Sequence, residues 1–514
     1  MKLLGLLVAA GLVVAPTAVS AAPADRGCAT TTSLGRVVGK STKSLCVYSG
    51  VPYAAAPVGD LRFRPPQPVR PWGTLTATDN TKVCPQFRDT MTEEYPDDKP
   101  IYTDEDCLRL NIWAPRTPGK HPVIVFSHGG AARFGTGNEP RYAGTQLADT
   151  GDAVVVTLNY RLGLLGWGEL GGLDPAYAGS GNNGVRDQIA ALEWVQQHIA
   201  DFGGDPRNVT AMGQSEGAFS LSAILATDNP QRLFRRVILE SGSGYMIHSP
   251  QLQASFAARL KGLSVSTLKA MSPSDLLGLQ EKLIGPGAVG GAVYFGPAID
   301  GTLIKAPLID RIRAGGARGI DVLIGTNRDE MQFFAQLDPS LLNFTQEQYN
   351  ALFPAQLAAR REQMIRTYRA GRPGQSESDI ALAMLNDQAM RVPATRIAAE
   401  QSRWARTYLY QFDWSPAGGL GAIHTAELPF VFGSLSFTGI PGGAVSGPVR
   451  QLSRQMVCSW TSFARSGDPG WPRYSTTSRI TRIWDTPSRI ASAPRDAERA
   501  AWDGYDFPSL ALNF

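Results

Sequence analysis

Residues 208–220 read Asn-Val-Thr-Ala-Met-Gly-Gln-Ser-Glu-Gly-Ala-Phe-Ser, and no other stretch restricts the fold so tightly. An apolar run, Val209 to Met212, leads into Gly213-x-Ser215-x-Gly217, and a helix-like run leaves it. A strand that stops on a glycine-flanked serine and turns at once into a helix is the sequence form of a nucleophile elbow. The pattern is weak by itself. A chain with 54 glycines in 514 residues meets it by composition, and Gly374-Gln-Ser376-Glu-Ser378 is a near-copy without the last glycine or a preceding apolar strand. The surrounding sequence has to supply a base, an acid and an anion site.

The surroundings alternate. Strand candidates are Leu110–Trp113, Val123–Phe126, Ala153–Leu158, Val209–Met212, Arg236–Leu239 and Val322–Ile324, with Thr407–Phe412 one more. Several are short continuous apolar runs, the pattern of parallel strands covered on both faces. Val185–Ala200 carries Val185, Ile189, Leu192, Val195 and Ile199 at helical spacing. Strands alternating with helices imply an α/β sheet with right-handed crossovers. Residues 250–295 and 338–400 have helical apolar spacing and are expected as cap insertions beside the sheet.

Composition bounds the partners. Hydrophobic residues at 43% and charged residues at 18% describe a chain with a sizeable core. The net charge of +4 is small for this length and no Lys/Arg cluster stands out, so neither nucleic acid nor a membrane surface is expected. Lys2, the apolar run Leu3 to Val14 and the small residues Val19-Ser20-Ala21 or Ser20-Ala21-Ala22 predict a signal peptide over 1–21 and an exported protein, secreted or periplasmic. That run is too short to span a bilayer, and no later one reaches that length, so no membrane anchor is expected. Export permits disulfides. Pairing neighbours gives Cys28–Cys46 and Cys84–Cys107 and leaves Cys458 over, although four cysteines allow three connectivities. No C-x-x-C occurs and there are five histidines, so neither a metal nor another cofactor is expected.

Acyl transfer by serine needs a nucleophile, a base, an acid that orients the base, and donors for the oxyanion. Val123–Phe126 runs into Ser127-His128-Gly129-Gly130-Ala131, a strand followed by a His-Gly-Gly loop whose backbone N–H groups suit an oxyanion. Among the histidines, His121 starts a strand, His128 belongs to the glycine loop, His198 lies on the amphipathic helix and His248 follows the elbow closely. His424, in the small-residue segment after the last strand candidate, is placed for a loop-borne base. The acid should end a strand between Ser215 and His424. Val322–Ile324 leads to both Asp329 and Glu330, and position does not separate them.

Taken together, the motifs resemble those of the type-B carboxylesterases, the cholinesterase-like branch of the α/β hydrolases. Gly50-Val-Pro-Tyr-Ala54, Leu61-Arg-Phe-Arg-Pro-Pro66, Glu105-Asp-Cys-Leu-Arg-Leu-Asn111, Asn159-Tyr-Arg-Leu-Gly163, Phe202-Gly-Gly-Asp-Pro206 and Gly213 to Ala218 match in order. So do Gly296-Pro-Ala-Ile-Asp-Gly301, Asp329-Glu330, His424-x-x-Glu-Leu-Pro-Phe-Val-Phe-Gly433 and Phe463-Ala-Arg-Ser-Gly-Asp-Pro469. The resemblance implies an α/β-hydrolase fold, a single domain over 22–514, and hydrolysis of a small-molecule carboxylic ester through an acyl-enzyme. It implies Ser215 as nucleophile, Glu330 as acid and His424 as base, with Gly130, Ala131 and Glu216 donating to the oxyanion. It also implies a Cys84–Cys107 disulfide and two buried ion pairs, Arg62–Glu105 and Arg161–Asp187. The same site could cleave a lactone, carbamate or amide, and the family includes non-catalytic binding proteins, which usually lose a triad residue.

The chain departs from that pattern beside the serine. The family usually has alanine where Glu216 stands. Its carboxylate is expected either to turn into a local hydrogen bond or ion pair, with Arg133 a candidate partner, or to face the pocket and select polar or cationic substrates. Alanine tolerates positive φ poorly, so Ala131 is expected at negative φ. Ala132 replaces an aromatic and should widen the pocket. No tryptophan lies between Cys84 and Cys107, which argues against a choline ester.

Overall fold

The computed structural model describes residues 27–87, 103–284, 294–343, 355–438, 445–505 and 507. The expected signal peptide at 1–21 lies outside them. Among the described residues fourteen strands form two sheets. β1 (Ala29–Thr32), β2 (Gly35–Val38) and β5 (Thr74–Thr76) make a small one. The large one joins β3 (Lys40–Ser41), β4 (Leu45–Pro52), β6 (Arg109–Pro115), β7 (His121–Ser127), β8 (Val154–Leu158), β9 (Gly204–Gln214), β10 (Arg236–Glu240), β11 (Asp321–Asn327), β12 (Thr407–Phe412), β13 (Ile480–Trp484) and β14 (Arg489–Ser492). Their spatial order is β14-β13-β12-β11-β10-β9-β7-β8-β6-β4-β3. The seven strands from β8 through β13 pair in parallel, and antiparallel strands flank them on both sides.

Every residue of β7, β8, β10, β11 and β12 is buried, which is why their sequences read as unbroken apolar runs. Successive side chains still feed opposite faces. Val123, Val125, Val237, Leu239, Val322 and Ile324 join one core, while Ile124, Phe126, Ile238 and Leu323 join the other. The expected strands are all present, and the amphipathic run forms the helix Asn183–His198. Helices occupy the described parts of the two expected cap segments, among them Pro250–Arg259, Pro273–Ile284, Arg361–Gly371 and Glu377–Asn386.

Register aligns the carboxyl ends of the central strands. Ser127 sits opposite Gly213, and Glu240 opposite both Gln214 and Gly325. In open parallel sheets that edge is where ligands bind. Cys28–Cys46 and Cys84–Cys107 are disulfide-bonded, and Cys458 is free and exposed. Among the described residues no helix is long and apolar enough to cross a membrane.

Candidate active site

Ser215 stands between the end of β9 and the helix Glu216–Leu225, with φ 53° and ψ −123°. A non-glycine residue avoids that backbone region unless its surroundings impose it. Here the Ser215 N–H donates to Glu240 O at 2.9 Å, and Ser215 O accepts from Phe219 N at 2.9 Å. The flanking glycines are needed for space. A Cβ on Gly213 would lie 2.6 Å from the Gly217 carbonyl, and one on Gly217 would lie 2.1 Å from Ser127 O. Both contacts are shorter than real Cβ atoms make, so the elbow can press against the end of β7 only without side chains. The serine itself is half-buried, while Gln214 and Glu216 on either side are buried.

The His-Gly-Gly loop packs on this turn. A Cβ on Gly129 would meet Gln214 Oε1 at 2.7 Å and Ser215 Cβ at 2.9 Å. Gly130 O accepts from Arg133 N at 2.9 Å, closing a tight turn with Ala131 at φ 53° and Ala132 at φ 57°. The expectation of negative φ at Ala131 is therefore wrong. A turn closed with both central residues left-handed needs positive φ at each, and the bonds at its ends hold two alanines there. The conformation costs roughly 1–2 kcal/mol per residue. Ala132 is fully buried in the core, so its small side chain widens no open pocket. Among the described residues nothing accepts a hydrogen bond from the N–H of Gly130, Ala131 or Glu216.

His424 Nδ1 lies 2.6 Å from Glu330 Oε2, with both side chains buried. Glu330 Oε1 accepts from Asn327 N at 2.7 Å. A carboxylate on Nδ1 fixes the tautomer that carries its proton there and leaves the Nε2 lone pair free. Nε2 faces the elbow, 3.4 Å from the Gln214 amide nitrogen. Ser215 Oγ makes no hydrogen bond among the described residues. The structure separates the two carboxylates that position could not: Asp329 Oδ2 accepts from Ala422 N at 2.9 Å and pins the His424 loop, while Glu330 holds the imidazole. Phe333 and Phe334 flank the ring.

The other histidines are engaged elsewhere. His128 stacks on Tyr160 at 4.5 Å, and burial pulls its pKa down to about 4, so it is neutral. His121 bonds the carbonyls of Thr117 and Asp152, and His198 packs on Trp194. His248 is buried beside Ala298.

Glu216 is buried, and its Oε1 accepts from Ser220 Oγ at 3.1 Å. Arg133 is not its partner; that guanidinium bonds both carboxylate oxygens of Glu281, at 2.7 and 2.8 Å. Burial pushes the Glu216 carboxyl well above its ordinary range, and the Ser220 bond opposes this only in part. Two further acids, Glu427 and Glu240, are buried in the same interior. Burial, then the charge on Glu330, pushes Glu427 up to about 7. Burial, then Glu427, raises Glu240, which accepts from Trp460 Nε1 at 2.6 Å. The only signal in the sequence was the glutamate of His424-x-x-Glu427. No group of His, Cys, Asp and Glu among the described residues could hold a metal ion.

A parallel sheet with a strained serine turn, a carboxylate-held histidine and free N–H groups at its carboxyl edge defines the class of serine hydrolases with an α/β-hydrolase fold. The carboxylesterase family model matches residues 27–502, and this chain belongs to that family. It is 37% identical to the para-nitrobenzyl esterase of Bacillus subtilis over 91% of this chain and 97% of that one. A cholinesterase of Mus musculus is 30% identical over 93% and 87%. A solved carboxylesterase of Geobacillus stearothermophilus superposes with a TM-score of 0.82 at 35% identity, covering 93% of this chain and all of that one. The chain is a carboxylic ester hydrolase acting on small molecules.

Proposed function

We propose that Ser215, His424 and Glu330 form the catalytic triad and that the N–H groups of Gly130, Ala131 and Glu216 form the oxyanion hole. The observation that carries this reading is the buried chain Glu330–His424–Gln214, which ends one residue from the strained serine. His424 Nε2 takes the proton of Ser215 Oγ as that oxygen bonds the ester carbonyl carbon. The carbonyl oxygen becomes an oxyanion facing the three N–H groups. The C–O bond to the alcohol breaks, and His424 returns the proton to the leaving oxygen. Water then attacks the acyl-enzyme by the same route and releases the carboxylic acid. Aryl-ester turnover by the wild type and its loss in Ser215→Ala, by about 10⁴-fold or more, are the expected results. Activity persisting in that variant would overturn the assignment.

The two disulfides support an oxidising compartment, and with the N-terminal segment they favour export by a signal peptide at 1–21. Residues 22–514 then act as one catalytic domain whose cap segments border the site.

Glu216 sets a pH limit on this mechanism. Burial holds the proton on its carboxyl to higher pH than on an ordinary glutamate, and the protonated group adds no charge beside the oxyanion. As pH rises through that raised pKa the group ionises, and a buried negative charge on the residue whose N–H faces the oxyanion opposes catalysis. Tyr160, Ser220 and His248 lie around it. The kcat/KM of the wild type for a neutral aryl ester therefore falls as pH rises through that raised value, whereas Glu216→Gln loses this fall. Identical alkaline limbs in the two pH profiles would refute it.

A further inference from the structure

A second cavity, of about 990 Å³, opens between the segment 169–182, the helix Pro250–Arg259 and the segment 298–301. None of its lining residues takes part in the proposed mechanism. Its size lies at the upper end of the roughly 300–1,000 Å³ usual for small-molecule sites.

The helix presents two different faces. Phe256 and Leu260 anchor one of them: Phe256 stacks on Tyr294 at 4.2 Å, and Leu260 is buried. Gln253, Ala254, Ala257 and Ala258 line the cavity, at the three- and four-residue spacing of a single helical face. On the facing wall a Cβ added to Gly172 would reach Ala257 Cβ at 4.0 Å. Alanine and glycine therefore keep the space open, and Leu173, Leu263 and Ile299 give it an apolar lining.

Gln253 is the uncommitted polar group of this wall. It is 8% exposed, and its side-chain amide makes no hydrogen bond among the described residues. Buried amides normally have partners, because desolvating one without a bond is costly. Its polar neighbours are all engaged. Glu169 accepts from the backbone N–H groups of Gly171, Gly179 and Gly181 at 2.8, 3.3 and 3.2 Å. Asp300 accepts from Asn182 Nδ2 at 2.9 Å and from the N–H groups of Thr302, Leu303 and Ile304, with Arg186 at 3.6 Å. The Asn182 amide exchanges both of its bonds with the Ala298 backbone. Lys261 also lines the cavity but is exposed, so water solvates its ammonium.

We propose that this cavity binds an uncharged small molecule with an apolar body and one hydrogen-bonding oxygen, the chemistry of an alcohol or an ester. The Gln253 amide is its polar ligand, and the alanine face with Leu173, Leu263 and Ile299 holds its body. A charged head fits less well. The carboxylates of Glu169 and Asp300 repel an anion, and their oxygens are already taken up by N–H donors and Arg186.

The test is fluorescence titration of the full chain with Nile red, an uncharged dye with one carbonyl, followed by displacement. Wild type and Ser215→Ala should both show a saturable component that octan-1-ol displaces. Octanoate, of the same chain length, should leave it bound at the same concentration. Ala257→Phe fills the cavity and should abolish that component. Gln253→Met keeps the length of the side chain without its amide and should weaken binding by roughly fivefold, the size of one neutral hydrogen bond. Should Ala257→Phe fail to fold, Gly172→Leu decides, because that position is exposed and has room for a Cβ. No saturable component in the wild type, or dye binding unchanged in both filling variants, overturns the site. Displacement by octanoate as effective as by octan-1-ol overturns the uncharged class, and wild-type affinity in Gln253→Met overturns the role of the amide. Because Ser215→Ala is expected to bind the dye normally, these outcomes are independent of the triad assignment.

Discussion

Glu330→Gln lowers kcat for an aryl ester by about 10⁴-fold, with the fold intact and KM little changed. The reason is tautomeric. Glu330 offers two acceptor oxygens: Oε1 takes the Asn327 N–H at 2.7 Å and Oε2 takes His424 Nδ1 at 2.6 Å. A glutamine has one acceptor and one donor end. The Asn327 backbone N–H is fixed and can only donate, so it claims the carbonyl oxygen. The amide NH₂ then faces Nδ1, which must become the acceptor, and the ring proton moves to Nε2. An imidazole protonated at Nε2 cannot take the proton of Ser215. Asp329→Asn serves as the control. Asp329 bonds Ala422 N and Arg328 rather than the imidazole, so that change should cost under roughly tenfold. Steady-state kinetics on the two variants decide the matter: a Glu330→Gln enzyme within a hundredfold of wild type, or an Asp329→Asn enzyme equally impaired, would exclude the assignment.

The difference between those neighbours shows where the sequence is legible. Both follow one strand, and chain position treats them alike. Only the return of the 422–424 loop to β11 separates them. The central strands were legible because burial on both faces leaves an unbroken apolar run. β13 and β14 were not, since their half-exposed residues carry no such run. The elbow was legible because its glycines answer a local steric demand. Glu240 and Glu427 were hidden because what marks them is mutual burial: the two lie 187 positions apart and meet only in the fold. Arg133 taught the same lesson, since its partner Glu281 comes from a helix 148 residues away. At Ala131 a local rule was right about cost and wrong about outcome. The bonds from Arg133 N and Phe134 N to Gly130 O and from Gly163 N to Ala132 O, with the loop packed on the elbow, together hold the alanines at positive φ.

Asp187→Ala should destabilise the protein by about 3–5 kcal/mol, whereas Asp228→Ala should cost far less. Asp187 is fully buried on the helix Asn183–His198, and Arg161 is 3% exposed. The guanidinium donates Nε to Oδ2 at 2.8 Å and Nη2 to Oδ1 at 2.7 Å, and the Arg161 backbone N–H adds a bond at 3.1 Å. Nη1 is satisfied by Arg64 O at 2.8 Å. Removing the carboxylate strands a desolvated cation and an N–H together. Asp228, by contrast, is 60% exposed opposite Lys305 and Arg311, where water replaces what is lost. The loss would reach the active site. One residue beyond Asp187, Gln188 Oε1 accepts from Ser127 Oγ at 2.7 Å, and Ser127 O is the atom against which Gly217 packs. Chemical denaturation of both variants gives the comparison. The paired change Arg161→Met with Asp187→Leu should recover most of the stability, because an apolar pair of similar volume leaves no charge behind. Equal losses in Asp187→Ala and Asp228→Ala would mean that the buried pair is no more than a surface contact in energetic terms. A double variant as unstable as Asp187→Ala would place the cost in packing rather than in the stranded charge.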